Sequence, residues 1–192
     1  MAVEEPKYNI VRADGDFEVR DYPDLVVAQV EVGGDRQAAS NEGFRILAGY
    51  IFGGNAGDSR IAMTAPVSQA PANAQSRAQG SRIAMTAPVT LEGGAGRWTV
   101  QFTMPSKYTM AELPAPNDKR VQLRSLPPVR MAVLKFSGLT GDARVAQQTE
   151  RLEALVREHN LTATGKPSLA RYDPPWTPWF MRRNELMVPV SP

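Results

Sequence analysis

The sequence predicts an α+β domain with an antiparallel sheet, built from two copies of a strand–helix–strand–strand unit. A strand-like apolar run, a glycine break and a long helical pattern follow one another at residues 25–52 and again at residues 131–160. The two strand-like runs also align residue by residue, with the pairs Ala28 and Ala132, Val30 and Leu134, and Val32 and Phe136. Each run then continues through a helix into further extended segments, so we expect an internal duplication.

The first elements along the chain are a hairpin and a strand. Residues 8–12 and 17–22 flank Ala-Asp-Gly-Asp at positions 13–16, and an Asp-Gly pair is a typical hairpin turn. Residues 25–32 then alternate in the manner of a strand, with one apolar face formed by Val26, Ala28, Val30 and Val32.

A helix is predicted over residues 36–52. Asp35 suits the N-cap position, and Gly-Gly-Asn at positions 53–55 is typical of a helix end. Its apolar residues Phe44, Leu47, Ala48 and Ile51 fall at helical spacing.

The second half follows the same order. A strand at residues 131–136 is interrupted by Ser-Gly at positions 137–138 and followed by a helix over residues 142–160. Its core-facing residues are predicted to be Val145, Leu152, Leu155 and Val156. Further strands are predicted at residues 61–67, 83–91, 98–104, 169–172 and 185–190.

One nonapeptide, Ser-Arg-Ile-Ala-Met-Thr-Ala-Pro-Val, occurs at residues 59–67 and again at residues 81–89. Its Ile-Ala-Met-Thr-Ala-Pro-Val part resembles the signature of the SOUL heme-binding family, and the tandem copies resemble the bacterial branch of that family. Four further blocks agree with it: Phe-Glu-Val-Arg-Asp-Tyr-Pro at 17–23, Gly-Tyr-Ile-Phe-Gly-Gly-Asn at 49–55, Tyr-Asp-Pro-Pro at 172–175 and Arg-Arg-Asn-Glu-Leu at 182–186. The resemblance extends over residues 8–190.

The resemblance implies one domain over residues 1–192, folded as a distorted antiparallel β-barrel with two helices, like an effector-binding domain. It implies a soluble protein that binds heme or a related tetrapyrrole in a hydrophobic groove. Some animal members have a histidine where this chain has Asp21, so no strong protein axial ligand is expected. The positions that match the family's heme-contacting helix and C-terminal loop are Asn41, Phe44, Leu47, Ala48, Trp176, Trp179 and Phe180. Arg182 or Arg183 could pair with a heme carboxylate, and because adjacent strand residues point to opposite faces, we expect at most one of them to reach a given ligand.

Other functions remain open as alternatives. The same fold serves effector-binding modules and enzymes that act on hydrophobic small molecules, and a buried carboxylate with a raised pKa in the groove would favour them. No pairing of a nucleophile with a base stands out, which favours binding over catalysis. His159, the single histidine, lies at a helix end, where it suits the helix dipole better than heme ligation. Methionines such as Met63, Met85 and Met181 are expected to pack rather than bind metal.

Composition narrows the remaining choices. The chain has no cysteine, which excludes disulfides, thiolate-ligated heme and cysteine nucleophiles. Its net charge of +2 comes from scattered residues, which argues against a nucleic-acid partner. No apolar stretch approaches the length of a membrane span. The first 30 residues lack the apolar region of a signal peptide, so we expect a cytoplasmic protein, or a periplasmic one if a leader has been removed. The oligomeric state stays open.

Overall fold

The structure is a computed structural model that describes residues 4–56, 81–84, 86–173 and 177–191. The predicted strand at residues 61–67 and the residues Met63, Met85 and Trp176 therefore lie outside the described part of the chain. Within that part, no helix is long and apolar enough to cross a membrane.

The described residues form two α-helices and ten strands. In chain order the elements are β1 (Asn9–Asp14), β2 (Phe17–Tyr22), β3 (Leu25–Gly33), α1 (Arg36–Ile51), β4 (Val89–Gly94), β5 (Arg97–Thr103), β6 (Gln122–Leu126), β7 (Val129–Ser137), α2 (Asp142–Glu158), β8 (Thr162–Ala163), β9 (Ser168–Arg171) and β10 (Arg183–Ser191). A short 3-10 helix, Trp179–Met181, precedes β10.

The strands form one curled antiparallel sheet, a half-barrel, and its order shows the duplication. Nine strands follow the order β1-β2-β7-β10-β9-β4-β5-β3-β6, and β8 pairs with β10. The unit β3-α1-β4-β5 contributes β3, β5 and β4 from one side, and β7-α2-β9-β10 contributes β7, β10 and β9 from the other. The two halves meet where β4 pairs with β9. The predicted α+β duplication is confirmed.

Both helices pack on one face of this sheet, which we call the helix face. Helix α1 contacts β3 and β5, and helix α2 contacts β7 and β10. The residues buried beneath α1 include Ala28, Val30, Leu91, Val100 and Phe102. Those beneath α2 include Phe17, Val19, Ala132, Leu134, Leu169 and Leu186. We call the other side of the sheet the opposite face.

Local signals set the bounds of α1 as the sequence predicts. The Asp35 carboxylate accepts a hydrogen bond from the Ala38 backbone at 2.8 Å. The helix ends at Ile51, and Gly53 then adopts a φ of 113° that favours glycine. Asn55 is buried, and its side-chain amide donates to the carbonyl oxygens of Tyr50 and Ser81. The helix end is thereby tied to the chain that leads into β4.

Three of the four apolar residues at helical spacing in α1 are buried. Leu47, Ala48 and Ile51 are in the core, whereas Phe44 is 39% exposed and its ring meets the Phe102 ring edge to face. The other buried residues of the helix are Ala39, Ser40, Gly43, Ile46 and Tyr50. Since an α-helix has 3.6 residues per turn, the buried residues form one stripe, and Phe44 falls at its margin.

The predicted strand at residues 83–91 begins later than expected, at Val89. The backbone N–H of Ile83 donates to the Ile51 carbonyl oxygen, and that of Ala87 donates to the Glu4 carbonyl oxygen. These donors therefore bind the end of α1 and the N-terminal segment instead of a neighbouring strand. The short strands β6 and β8 were not predicted from the sequence.

Two glycines in α1 give a matched test of how closely the helix approaches the sheet. A Cβ atom at Gly43 would overlap the Val100 side chain, whereas one at Gly49 would meet no atom within 4 Å. We expect Gly43→Ala to lower the free energy of unfolding by about 1–3 kcal/mol through overpacking. Gly49→Ala should raise it by up to about 1 kcal/mol through helix propensity. Urea denaturation of both variants measures this, and equal effects would contradict the packing described.

Candidate functional site

The predicted ligand residues of α1 divide into surface and core positions. Asn41 and Phe44 reach the surface, and the Asn41 side chain accepts a hydrogen bond from Gln37 one turn earlier. Leu47 and Ala48 are buried in the hydrophobic cluster beneath the helix. A charge introduced at position 48 would therefore disturb the core, and Phe44 is the helix residue best suited to test ligand binding.

The segment before β10 presents apolar side chains to the surface. Trp179, Phe180 and Met181 form the 3-10 helix and are 58%, 60% and 65% exposed. The Trp179 and Phe180 rings meet edge to face, with their centroids 5.7 Å apart. The prediction that Met181 packs against the protein is wrong, because its side chain is mostly exposed although the 3-10 helix contacts β7. Exposed apolar groups at this density are typical of interaction sites.

Three arginines lie in this region: Arg182 just before β10, Arg171 at the end of β9 and Arg36 at the start of α1. Arg182 donates from Nε to the Thr177 carbonyl oxygen at 2.8 Å, which fixes its stem. Burial, together with the positive charges of Arg36 and Arg182, lowers the pKa of Arg171 at the end of β9. Arg36 and Arg182 therefore each lie close enough to Arg171 for their charges to act on it. Neither Arg36 nor Arg171 was predicted from the sequence, although Arg171 directly precedes the Tyr-Asp-Pro-Pro block.

Arg36 also joins the starts of the two helices. Its Nε donates to the Asp142 carboxylate at 2.7 Å, and its Nη2 donates to the Thr140 carbonyl oxygen. Asp142 is the first residue of α2. The N-terminal ends of α1 and α2 are thus held side by side on the helix face.

Surface cavities among the described residues include one at the strand turns and one beside the 3-10 helix. The first, of about 590 Å³, lies at the turn ends of β3, β4 and β5, and the charged residues that line it are Glu31, Glu92, Arg97 and Lys166. The second, of about 400 Å³, is lined by Asp16, Lys135, Phe136, Ser137, Arg144, Arg151, Met181, Arg182 and Arg183. The second includes Arg182, but neither is lined by the predicted ligand residues of α1 or by Trp179 or Phe180.

The opposite face carries a buried ion pair. Arg20 on β2 donates from Nη1 and Nη2 to the two carboxylate oxygens of Glu185 on β10, at 2.8 and 3.0 Å. Arg20 also donates from Nε to Glu18 at 2.7 Å. The side chains of Arg20 and Glu185 are 1% and 0% exposed. Such a bidentate pair compensates for desolvation only because its remaining polar atoms are also bonded.

Further groups complete the environment of Glu185. The Tyr172 hydroxyl donates to Glu185 at 2.6 Å, and Arg183 donates to it at 2.9 Å while lying over the Tyr172 ring. Burial pushes the pKa of Glu185 upward, but the hydrogen bonds from Arg20 and Tyr172 outweigh it, so the pKa is lowered. A general acid needs the reverse shift, so Glu185 is an ion-paired structural carboxylate.

The N-terminal segment covers this ion-pair network. The Glu4 carbonyl oxygen accepts from Ala87, and the Glu5 carboxylate pairs with Arg183 at 3.1 Å. The Tyr8 ring lies 4.2 Å from the Arg20 guanidinium and 5.3 Å from the Tyr22 ring, measured between centres. The charges of the opposite face are therefore satisfied within the chain.

His159 is held by packing at the end of α2. Its ring stacks on Phe17 with centroids 4.7 Å apart and an angle of 3°. Nδ1 lies 3.1 Å from an Arg12 nitrogen, and Nε2 lies 3.6 Å from an Asp14 oxygen. Among the described residues, no group of three or more His, Cys, Asp or Glu side chains is placed to hold a metal ion. These contacts give His159 a packing role.

The buried ion pair generates a stability prediction. Glu185→Ala leaves Arg20 buried without its main partner, so the free energy of unfolding should fall by about 3–5 kcal/mol. Because the pKa of Glu185 is lowered from its ordinary 4.5, this loss should be present at neutral pH and should shrink as the pH falls below 4.5. Denaturant titrations at several pH values measure it.

The double variant Arg20→Met with Glu185→Leu is the control for this prediction. It removes both charges at once, so it should cost less than Glu185→Ala alone. A single variant that costs under about 1 kcal/mol at neutral pH would show that the pair is not buried as described.

The chain has no match among curated protein sequences. Among solved structures it is similar to the C-terminal domain of EcmrR, at 14% identity, covering 96% of this chain and 98% of that one with a TM-score of 0.58. It is similar to a hydrolase from Listeria innocua, at 15% identity, 99% and 94% coverage and a TM-score of 0.53. It is also similar to an uncharacterised conserved protein from Listeria innocua, at 14% identity, covering 98% of this chain and 93% of that one with a TM-score of 0.56.

These similarities show an effector-binding-like fold. They show the fold alone, because identities this low carry no information on function. The family comparison is more specific. The model of the SOUL heme-binding protein family matches residues 3–189, nearly the whole chain. The chain belongs to the SOUL heme-binding protein family.

Proposed function

We propose that this protein binds heme or a related tetrapyrrole on the helix face, without a strong axial ligand from the protein. The observation that carries the proposal is the family match over nearly the whole chain, together with the exposed aromatic residues before β10. Trp179 and Phe180 offer flat apolar surface, and such rings lose little conformational entropy when a ligand covers them.

The proposed ligand lies between the first three turns of α1 and the segment 176–182. Arg36 and Arg182 both act on Arg171, which supports a close approach of that segment to the start of α1. Phe44 stands eight residues beyond Arg36, about 12 Å along the helix. Phe44, with Asn41 at the edge, would form one wall of the site. Trp179, Phe180 and the predicted Trp176 would form the other, with Arg182 near a ligand carboxylate.

Two placements argue against a protein axial ligand. His159 stacks on Phe17 and contacts Arg12, so ligation would require it to leave these partners. Asp21 stands where some animal members have a histidine, and here its carboxylate accepts two hydrogen bonds from Arg130 at 2.7 and 2.8 Å. A tetrapyrrole held mainly by apolar contact fits the residues that are present.

The alternative functions, an effector-binding module or an enzyme, would use a buried carboxylate. Glu185 is the deepest carboxylate among the described residues, and its pKa is lowered while three donors bind it. It is already neutralised, so it offers neither an acid for catalysis nor a free charge for a cationic ligand. The observations therefore favour binding on the helix face.

Titration with hemin tests the proposal. We expect saturable binding in the micromolar range, followed by the Soret band, with a spectrum that His159→Ala leaves unchanged. A low-spin six-coordinate spectrum that disappears in His159→Ala would show that His159 ligates the iron. Absence of saturable binding by the folded wild type would disprove the function.

Aromatic truncations test where the ligand lies. Trp179→Ala and Phe44→Ala should each weaken hemin binding by about 1–3 kcal/mol, because each removes one apolar contact with the ring. Phe52→Ala is the matched control, since Phe52 is an exposed aromatic residue just beyond the end of α1. Unchanged affinity in both test variants, with the fold intact by circular dichroism, would place the ligand elsewhere.

A further inference from the structure

Three arginines converge on the helix face where the two halves of the sheet meet. Arg36 begins α1, Arg171 ends β9, and Arg182 precedes β10. Arg171 points to the helix face, because side chains alternate along a strand and Leu169, two residues earlier, lies in the cluster beneath α2. The charges of Arg36 and Arg182 both act on Arg171.

Two of these arginines hold nitrogen atoms that are shielded from water and unpaired. Arg36 Nη1 and Arg171 Nη2 have no hydrogen-bond partner among the described residues. The Arg36 side chain is only 9% exposed, and its bonds to Asp142 and Thr140 fix the direction in which Nη1 points. A buried charged donor without an acceptor is costly. The described residues alone therefore leave these two nitrogen atoms without an acceptor.

We propose that Arg36 and Arg171, supported by the charge of Arg182, form a binding site for an oxyanion, either a carboxylate or a phosphate group. A guanidinium group is planar and presents parallel N–H donors that match two oxygen atoms of such a group. The nearby carboxylate of Asp142 is already bound to Arg36 Nε and lies at the exposed start of α2. An added oxyanion would satisfy both spare nitrogens and reduce the repulsion among three positive charges.

The position of the site gives the ligand an orientation. Arg182 adjoins the 3-10 helix that carries Trp179 and Phe180, and Arg36 begins the helix that carries Phe44. A ligand that covers these aromatic rings would place its carboxylates toward the arginines. The inference rests on the proposed function where the oxyanion is a tetrapyrrole carboxylate, and it stands alone where the oxyanion is free phosphate.

The first test compares hemin with hemin dimethyl ester, whose carboxylates are esterified, on the full chain. Arg171→Gln should weaken hemin binding roughly tenfold, as expected for one charge-assisted bidentate contact, and should leave the affinity for the ester unchanged. Equal losses for both compounds, or no loss for either, would overturn the proposal. Arg45→Gln is the matched control, because Arg45 lies on α1 with a side chain that is 75% exposed.

The second test does not depend on hemin. Inorganic phosphate, compared with sodium chloride at equal ionic strength, should raise the melting temperature of the wild type and of Arg45→Gln more than that of Arg171→Gln. If hemin fails to bind and this difference appears, the proposed function falls while the oxyanion site stands. The oxyanion site is disproved if phosphate raises the melting temperature of all three proteins equally and Arg171→Gln, in the first test, does not weaken the binding of hemin more than that of its ester.

A third variant guards against loss of the fold. Arg171→Lys keeps the positive charge but lacks the planar guanidinium, so it should lie between the wild type and Arg171→Gln in hemin affinity. Circular dichroism of each variant checks that the sheet is intact. If Arg171→Lys binds hemin as tightly as the wild type, bidentate recognition is disproved.

Discussion

The pair formed by Arg20 and Glu185 constrains the centre of the sheet. It joins β2 to β10 across β7, a distance of about 10 Å at the usual spacing of strands. The two terminal guanidinium nitrogens of Arg20 each donate to a different carboxylate oxygen of Glu185, so the relative position of the two strands is tightly defined. A slip of one residue in β2 or β10 would turn one partner to the helix face and leave the other buried alone. The pair therefore acts chiefly on register, because buried charges add little net stability over apolar residues.

This constraint separates the two faces of the sheet by function. On the opposite face, Tyr172, Arg183 and the N-terminal residues complete the bonding of Glu185 and cover Arg20. On the helix face, the two helices bury the apolar side chains, yet the region between their starts holds unpaired guanidinium nitrogens and exposed aromatic rings. On the opposite face, the charges of the Arg20 and Glu185 network are paired within the described residues. On the helix face, a ligand would pair the free nitrogens and cover the exposed rings.

Much of the fold was predictable because each element carries a local signal. The apolar alternation predicted β3, and Asp35 predicted the start of α1. The alignment of Ala28 with Ala132 predicted the duplication, and with it the second helix. The start of β4 was not predictable, because the backbone donors of residues 83 and 87 bind partners remote in sequence. Spacing alone also does not distinguish the centre of a buried stripe from its margin, so it did not separate exposed Phe44 from buried Leu47 and Ala48.

The site was harder to predict than the fold, because its charged residues acquire meaning only through the register of the sheet. Arg182 and Arg183 are adjacent in sequence, yet Arg183 joins the Glu185 network while Arg182 acts on Arg171. Arg171 carries a signal that was available, since an arginine two residues after core-facing Leu169 must bring its charge to a buried face. Such a position requires a counter-charge, from the chain or from a ligand. Among the described residues, Arg171 Nη2 has no hydrogen-bond partner, so an acceptor from a ligand would complete this end of the helix face.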